Sequence, residues 1–482
     1  MKSVMEHNFA RTPRADIPRA QFDRSHGIKT TFDAGWLVPI LVDEIVPGDT
    51  VNCRASLFTR LATPLHPIMD NIRIETFFFF CPTRILWDNH KKFHGEQVDP
   101  GDSIDYTIPV LNSSTTLDLT NGTATDNLAD YFGLPHVTSF RANTCNVLPF
   151  RAYYKIWNEW FRDQNLQNSL DENTGDGPDT ATLYELQRRG KRHDYFTSCL
   201  PWPQKGATAV SIPLGTSANV YLSDTTTDNV DVGIWDDTGS TVRYVMDTDG
   251  TAGGHVQLDK GSTSTVHLLA DLTNASAATI NQLRQAFAIQ KLLERDARSG
   301  TRYIESVYAH FGVVSSDARM QRPEYLGGGS TPLGISPVAN TSEDATSKQG
   351  DLTGVGTAFV NGDGFVKSFE EHGYIIGLIN ARADLTYQQG QRRLWTKSTR
   401  YDFLYPVFSH IGEQSVLTRE IFYTSGATEA TLNTIFGYQG RYDEYRYFPS
   451  TITGLFRSDN AASLDAWHLS QDFASAPTLG ST

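Results

Sequence analysis

Between His66 and Trp87 the chain reads H-P-I-M-D-N-I-R-I-E-T-F-F-F-F-C-P-T-R-I-L-W, and its hydrophobic pattern changes halfway along. Alternate residues of a strand share a face, so Ile72, Ile74, Thr76, Phe78 and Phe80 point one way and Arg73, Glu75, Phe77, Phe79 and Cys81 the other. The first half is amphipathic and the second apolar on both sides. Such a strand needs a sheet beneath it and further structure above it, which predicts a central strand of a layered β architecture. Met69-Asp70-Asn71 supplies the turn before it, and Pro82 stops the pairing after it. Trp36–Val42 and Val46–Val51 read as two further short strands around a Pro47-Gly48 turn, and Tyr374–Asn380 and Tyr401–Phe408 as buried strands. Gly327 to Gly364 reads as a long loop region, and Asn112 to Asp126, rich in Ser, Thr, Asn and Asp, as a surface loop.

The period switches at Pro149 to Asn165. Phe150, Tyr153, Tyr154, Trp157, Trp160 and Phe161 fall on one wide stripe of a helix opened by a proline. A stripe that broad must be covered, either by the chain's own sheet or by a neighbouring subunit, which makes Trp157, Trp160 and Phe161 candidate interface residues. Thr279-x-x-Gln282 has the spacing of a capping box, with Ile280, Leu283, Phe287 and Leu293 following on one helical face and Glu294 to Arg298 as an i, i+4 pair. Gly300 can end that helix, and a second, Tyr303 to Phe311, runs to Gly312.

Composition narrows the class. The chain has 482 residues without a dividing linker, 39% hydrophobic and 20% charged residues, 38 Gly and 21 Pro. One mainly β body with loop and helical insertions is expected. Met1 to Arg14 lacks the apolar run of a signal peptide and no stretch is long enough to span a bilayer, so a soluble protein is expected. Cys53, Cys81, Cys145 and Cys199 show neither metal-binding spacing nor the density of a disulfide scaffold.

A net charge of −14 argues against an overall nucleic-acid binder, but the charge is unevenly distributed. Residues 1–30 read as an extended, locally basic arm interrupted by Pro13 and Pro18. Arg188, Arg189, Lys191 and Arg192, followed by Tyr195, Phe196 and Trp202, combine cations with stacking surfaces as single-stranded nucleic acid requires. Arg392, Arg393, Trp395, Lys397 and Arg400 form a weaker second set. A solvated or salt-bridged loop is the plain alternative for both. Gly206 to Gly261 carries eight Asp against Arg243 and Lys260, and its runs Val220-Tyr221-Leu222 and Val242–Met246 suggest a small β excursion on the surface. The tail Tyr438 to Phe456, with Tyr442, Tyr445 and Arg446, reads as edge or interface material.

The usual signatures of catalysis are absent. There is no phosphate-cradling G-x-x-x-x-G-K-[ST], no H-E-x-x-H and no G-x-S-x-G. Asp247-x-Asp249-Gly250 starts like a calcium loop but places its glycine too early and lacks the closing glutamate. His90, His94, His310, His372 and His410 read as isolated structural histidines. No metal or cofactor is expected, and a structural or binding protein is favoured over a secreted jelly-roll carbohydrate-binding protein or polysaccharide hydrolase.

Several stretches together resemble the major capsid protein of gokushoviruses, small single-stranded DNA bacteriophages of the microvirus family. They include H-P-I-M-D-N-I-R-I-E-T-F-F-F-F (66 to 80), P-F-R-A-Y-Y-K-I-W-N-E-W-F-R-D-Q-N-L (149 to 166), R-R-G-K-R-H-D-Y-F-T-S-C-L-P-W-P-Q-K-G (188 to 206) and G-Y-Q-G-R-Y-D-E-Y-R-Y-F-P-S-T-I-T-G-L-F-R (437 to 457). The likeness lapses at Asn112 to Asp126, Gly206 to Gly261 and Ser330 to Gly364. It implies a jelly-roll β-barrel with large insertions, sixty copies of which form an icosahedral shell around the genome. It further implies a viral scaffolding protein, a pilot protein, a small basic DNA-binding protein and a host cell-surface receptor as partners, with assembly in the bacterial cytoplasm. By the same resemblance residues 206–261 would meet at three-fold protrusions, with Val220, Tyr221, Leu222 and Trp235 as candidate contacts. The cations and aromatic rings of the two basic sets are expected, from their residue types, to face the shell interior.

Overall fold

Both faces of Phe77–Cys81 are covered, and the two coverings organise the chain. The computed structural model describes residues 18–480 apart from 112–115, 118–127, 136, 138–139, 142–144, 181–183, 207–209, 211–218, 224–233, 236–240, 243–266, 272–279, 315–321, 344–347 and 410. In chain order its elements are β1 (Val38–Ile45), β2 (Thr50–Arg60), β3 (Ile72–Pro82), α1 (His90–Phe93), β4 (Thr116–Leu117), α2 (Leu128–Tyr131), β5 (Phe140–Arg141) and α3 (Leu148–Ile156). Then come β6 (Asn219–Ser223), β7 (Ile234–Trp235), β8 (Thr241–Val242), β9 (His267–Asp271), α4 (Ile280–Ser299) and α5 (Tyr303–Phe311). The last part holds β10 (Glu324–Pro332), β11 (Gly334–Ala339), β12 (Leu352–Ser368), β13 (Gly373–Ala383), β14 (Glu413–Leu417), α6 (Thr418–Ile421), α7 (Glu429–Leu432) and β15 (Ile435–Gly440).

The fold is mainly β, and all its paired strands within sheets are antiparallel. One sheet has the order β1-β13-β3-β10 and a second the order β11-β12-β2. The pairings are nested: β3 with β10, β2 with β12, and β1 with β13, so the first and last long strands lie side by side. A long antiparallel ribbon rolled over on itself gives this pattern, which is the logic of a jelly roll. The described strands form two facing sheets rather than a barrel closed by hydrogen bonds. Short links carry the chain between sheets, with Gly48 at φ 92° in the β1–β2 turn and Leu333 alone between β10 and β11.

The inter-sheet core is aromatic. Phe78 and Phe80 of β3 meet Phe365 and Phe369 with ring centroids 5.6 and 4.6 Å apart, and Ile45 and Ile375 close the cluster. Thr76, on the same face and 1% exposed, donates to Asp363 Oδ2 at 2.6 Å and accepts from Gly329 N at 3.1 Å. This polar seam explains a departure from expectation: Gly327 to Gly364 is not a loop but contains most of β10, all of β11 and much of β12. A Cβ at Gly327 or Gly329 would run into Gly364 O or the Asp363 carboxylate, so glycines serve here for close approach of the sheets rather than for turns.

On the outer face of β3, α3 lies almost wholly buried. It runs from Leu148 with Pro149 in its first turn, and continues as a π-helical turn, Trp157–Phe161, ending at Arg162 before the expected Asn165. Phe161 packs edge-on against Phe77 and Phe79 at 5.4 and 5.8 Å, and Trp160 against Phe79 at 5.5 Å. Buried Arg151 forms a bidentate pair with Asp179, both bonds 2.8 Å, and donates to Leu86 O and Gly175 O. Tyr184 and Asn173 complete the carboxylate with bonds of 2.6 Å each. Such a pair is tolerable in a core because nearly every lone pair and proton is engaged.

Helices α4 and α5 end as read, at Gly300 (φ 93°) and Gly312 (φ 68°). Arg298, however, turns to Glu413 on β14 instead of Glu294, which accepts from Gln290 at 2.8 Å. Tyr401–Phe408 is not a buried strand: short 3-10 turns at Arg400–Asp402 and Pro406–Phe408 flank exposed Phe403 and Leu404. Pro406 lacks the N–H that a ladder needs. Of the basic arm, residues 18–30 are exposed and lack regular structure, and Arg24 returns to Asp43 of β1 with bonds of 2.6 and 2.8 Å.

Replacing Asp179 by Ala strands Arg151 inside the core and is expected to destabilise the chain by about 3–5 kcal/mol. Denaturant unfolding of the purified protein measures this, and a change below about 1 kcal/mol would show that the pair is no structural anchor.

Candidate nucleic-acid interface

The first basic set sits on a strip that is hydrogen-bonded to the edge of the outer layer. Arg188 bridges Trp36, Arg189 N donates to Gly35 O at 2.9 Å, and Trp157 Nε1 donates to Arg188 O at 2.9 Å. With the backbone fixed, alternate side chains turn in and out. Arg188 is exposed, its guanidinium 4.5 Å from the Trp36 ring centroid, and Lys191 is exposed as well. Arg189 goes inward between Phe77 and Phe161, 4.5 and 5.5 Å from their centroids, and pairs with Glu75.

Glu75 is also held by Arg382 at 2.8 Å. Burial alone raises the Glu75 carboxyl, but the Arg382 hydrogen bond and the charges of Arg189, Arg382 and Arg192 outweigh it and hold the pKa below its ordinary value. Burial and neighbouring Arg382 bring Arg189 down to about 10, so it stays charged at neutral pH. Arg192 pairs with Asp384. Arg189 is thus engaged inside the chain by Glu75, whereas the Arg192 side chain stays 39% exposed beside Asp384.

The second set gathers in one cleft with the tail. Arg392, Arg393 and Lys397 line it together with Tyr445 and Arg446. Arg393 donates to Ser415 O at 2.8 Å and to Glu420 at 3.2 Å, while Lys397, 6% exposed, lies 3.5 Å from Glu444 and 3.9 Å from the Tyr445 centroid. Burial raises the Glu420 carboxyl despite Arg393. Arg393 and Lys397 thus belong to an internal charge network, and Arg392 stacks on Phe448 at 4.0 Å. Trp395, 73% exposed, and Arg400, beside the Tyr405 ring at 5.3 Å, remain open to a partner.

The expected interface residues divide similarly. Trp157 is 5% exposed, Trp160 donates to Pro323 O at 2.9 Å, and Phe161 lies on β3, so the chain's own sheet covers Trp157 and much of Trp160 and Phe161. Tyr442 is buried, whereas Tyr445 is half exposed and the Arg446 side chain 81% exposed. Large apolar side chains are also exposed at Phe287, Leu292, Tyr303, Tyr308 and Phe311 of α4 and α5 and at Leu394, Trp395, Tyr401 and Val407. Val220, Tyr221 and Leu222 lie in β6, which pairs with β9, and Trp235 in β7, which pairs with β8; most of residues 206–261 and most of the arm lie outside the described residues. The histidines read as isolated are not all so, since one ring nitrogen each of His90, His94 and His372 lies within 4.8 Å of the other two.

Over residues 10–482 the chain matches the family model described as capsid protein (F protein). The chain belongs to this capsid protein family. It is 46% identical over 488 residues to capsid protein VP1 of Bdellovibrio phage phiMH2K, covering 99% of this chain and 90% of that protein. It is 40% identical over 553 residues to capsid protein VP1 of Chlamydia phage 1, covering 100% and 91%, and 34% identical over 511 residues to that of Spiroplasma virus 4, covering 98% and 89%. The resemblance to gokushovirus capsid proteins holds. Membership in the capsid protein family gives the chain a structural role in the virion, in a shell of many copies.

Glu75 makes this site sensitive to acid. A carboxyl whose folded pKa is lowered contributes stability above its unfolded value, about 4.3, and loses it as pH falls through the folded value. Glu75→Gln is expected to cost about 3 kcal/mol at pH 7, with the gap to the parent shrinking below about pH 4. Denaturant curves at both pH values check this; a gap independent of pH removes the ionic account.

Proposed function

We propose that this chain is the major shell protein of a small single-stranded DNA phage and assembles in sixty copies into an icosahedral capsid around the genome. The observation that carries the reading is the exposed apolar surface on α4, α5 and residues 394–407. Phe311 at 78%, Tyr303 at 81% and Val407 at 81% exposure are large apolar or aromatic side chains left open to water. Burying each such side chain against another copy contributes roughly 1.5–3 kcal/mol. The protein works by self-association, without catalytic turnover. A secreted carbohydrate-binding or hydrolytic role has no comparable support.

On this reading Arg188, Lys191, Trp395 and Arg400 are the residues offered to DNA, touching phosphates and stacking on bases without reading sequence. With a net charge of −14 per copy the shell adds to the genome's negative charge, so neutralisation falls to other cations, including a small basic DNA-binding protein. A scaffolding protein would cover the apolar surfaces before closure in the bacterial cytoplasm, and a pilot protein would travel with the genome. Residues 206–261, with a net charge of −6, are disfavoured beside DNA and are assigned to the outer face, where Val220, Tyr221, Leu222 and Trp235 tie three copies together and the host receptor is engaged.

Joint substitution of Arg188, Lys191 and Arg400 by Gln should leave particle yield unchanged and lower DNA retention, most visibly as salt is raised. Arg189→Gln should do the reverse, reducing stability and yield. Equal DNA content in triple-variant and parent particles would sink the DNA-contact assignment. Replacing residues 206–261 by a short Gly/Ser linker should give shells, visible by electron microscopy, that attach poorly to host cells; normal attachment would remove the receptor role.

A further inference from the structure

Pairing of Gly373 with Pro82 puts the end of β3 and the start of β13 at one corner of the sheet. The segment leaving β3 and the segment entering β13 must therefore meet. His372 stands immediately before β13, and its carbonyl accepts from Thr83 N at 3.0 Å. Helix α1, a few residues beyond β3, sets His90 and His94 one turn apart on the face turned to that corner. Ring centroids are 4.6 Å apart for His90 and His94, 4.3 Å for His94 and His372, and 5.7 Å for His90 and His372. Among the described residues none of the three rings has a hydrogen bond to another protein group, and one ring nitrogen of each lies within 4.8 Å of the other two.

Three imidazoles without hydrogen-bond partners do not gather for electrostatic reasons, since protonation of one disfavours protonation of the others. We propose that His90, His94 and His372 bind one divalent transition-metal ion of the zinc class, with water in the fourth position. Neutral imidazole is the donor that such ions prefer. A tetrahedral ion held at about 2.0–2.1 Å needs nitrogens roughly 3.3 Å apart, so all three rings must draw together on binding from separations within 4.8 Å. The surrounding charge is balanced: Glu371 pairs with Arg84 at 2.6 Å and Glu96 lies 4.0 Å from Lys91. Glu371 and Glu96 line the same hollow as Arg84 and Lys91, so the site itself carries no excess charge and binding rests on the imidazoles. The ion would clip α1 to the corner where β13 begins, joining parts of the chain that lie far apart in sequence.

The test uses full-length protein made without a histidine tag and stripped with chelator. Equilibrium dialysis with zinc, read by elemental analysis, should give one ion per chain, and cobalt should give the visible absorption of a tetrahedral site. His94→Ala and His372→Ala should each weaken binding at least about tenfold. His94 is exposed, so that variant should melt like the parent in chelator while lacking the parent's zinc-dependent rise in melting temperature. Substoichiometric zinc with no tetrahedral cobalt spectrum in the parent, or parent-like binding by the variant lacking both His94 and His372, would overturn the assignment.

Discussion

Aromatic rings on both faces of one strand demand two separate coverings, and Phe77 to Phe80 impose that demand on the whole molecule. Each buried Phe contributes roughly 1.5–3 kcal/mol only when its own face is closed. One closure is the second sheet, through Phe365 and Phe369; the other is the α3 and π-helical segment, through Trp160 and Phe161. The first requires a strand from the far end of the chain, because Phe365 lies in β12 of the facing sheet. The second requires the insertion between β3 and β10 to return to the sheet it left. Architecture is set by where those rings can be hidden.

The same geometry decides which cations can serve a partner. Glu75 sits on the outer face of β3 beside Phe77, where burial makes an unpaired carboxylate costly. Two arginines answer it, Arg189 from the basic strip and Arg382 from β13. A dense positive run in the sequence is therefore partly a supply of counter-charges for the body itself. The side chains left over, Arg188 and Lys191, alternate outward from the same strip, so the fixed backbone that buries Arg189 also presents them.

Much of the frame was legible in the sequence because it depends on local pattern. The two-faced character of β3, the strand pair around Pro47-Gly48 and the helices ending at Gly300 and Gly312 all come from alternation, period and left-handed glycine. The failures share a different cause. Gly327 to Gly364 looks like loop because glycine is read as a turn residue, yet its glycines answer the Asp363 and Gly364 atoms of a strand about thirty-five residues away. The partners of Arg189, Arg192 and Arg393 are Glu75, Asp384 and Glu420, and the three histidines come from two distant segments. Long-range pairing carries no periodic signature, so a charged or ligating residue can be seen in sequence without its role being seen.

Nested pairing also constrains how such a chain can be made. β1 needs β13 and β2 needs β12, so neither sheet is complete until most of the chain exists. Contacts so distant in sequence form slowly, because the closure entropy of the long intervening chain comes before any burial rewards it. During that interval the rings of β3 and the apolar faces of α4 and α5 are open together, a state prone to aggregation. Completion of the sheets hides β3 but leaves Phe287, Tyr303 and Phe311 exposed. On the proposed reading another copy then covers these faces, so folding and shell assembly are successive stages of the same removal of apolar surface from water.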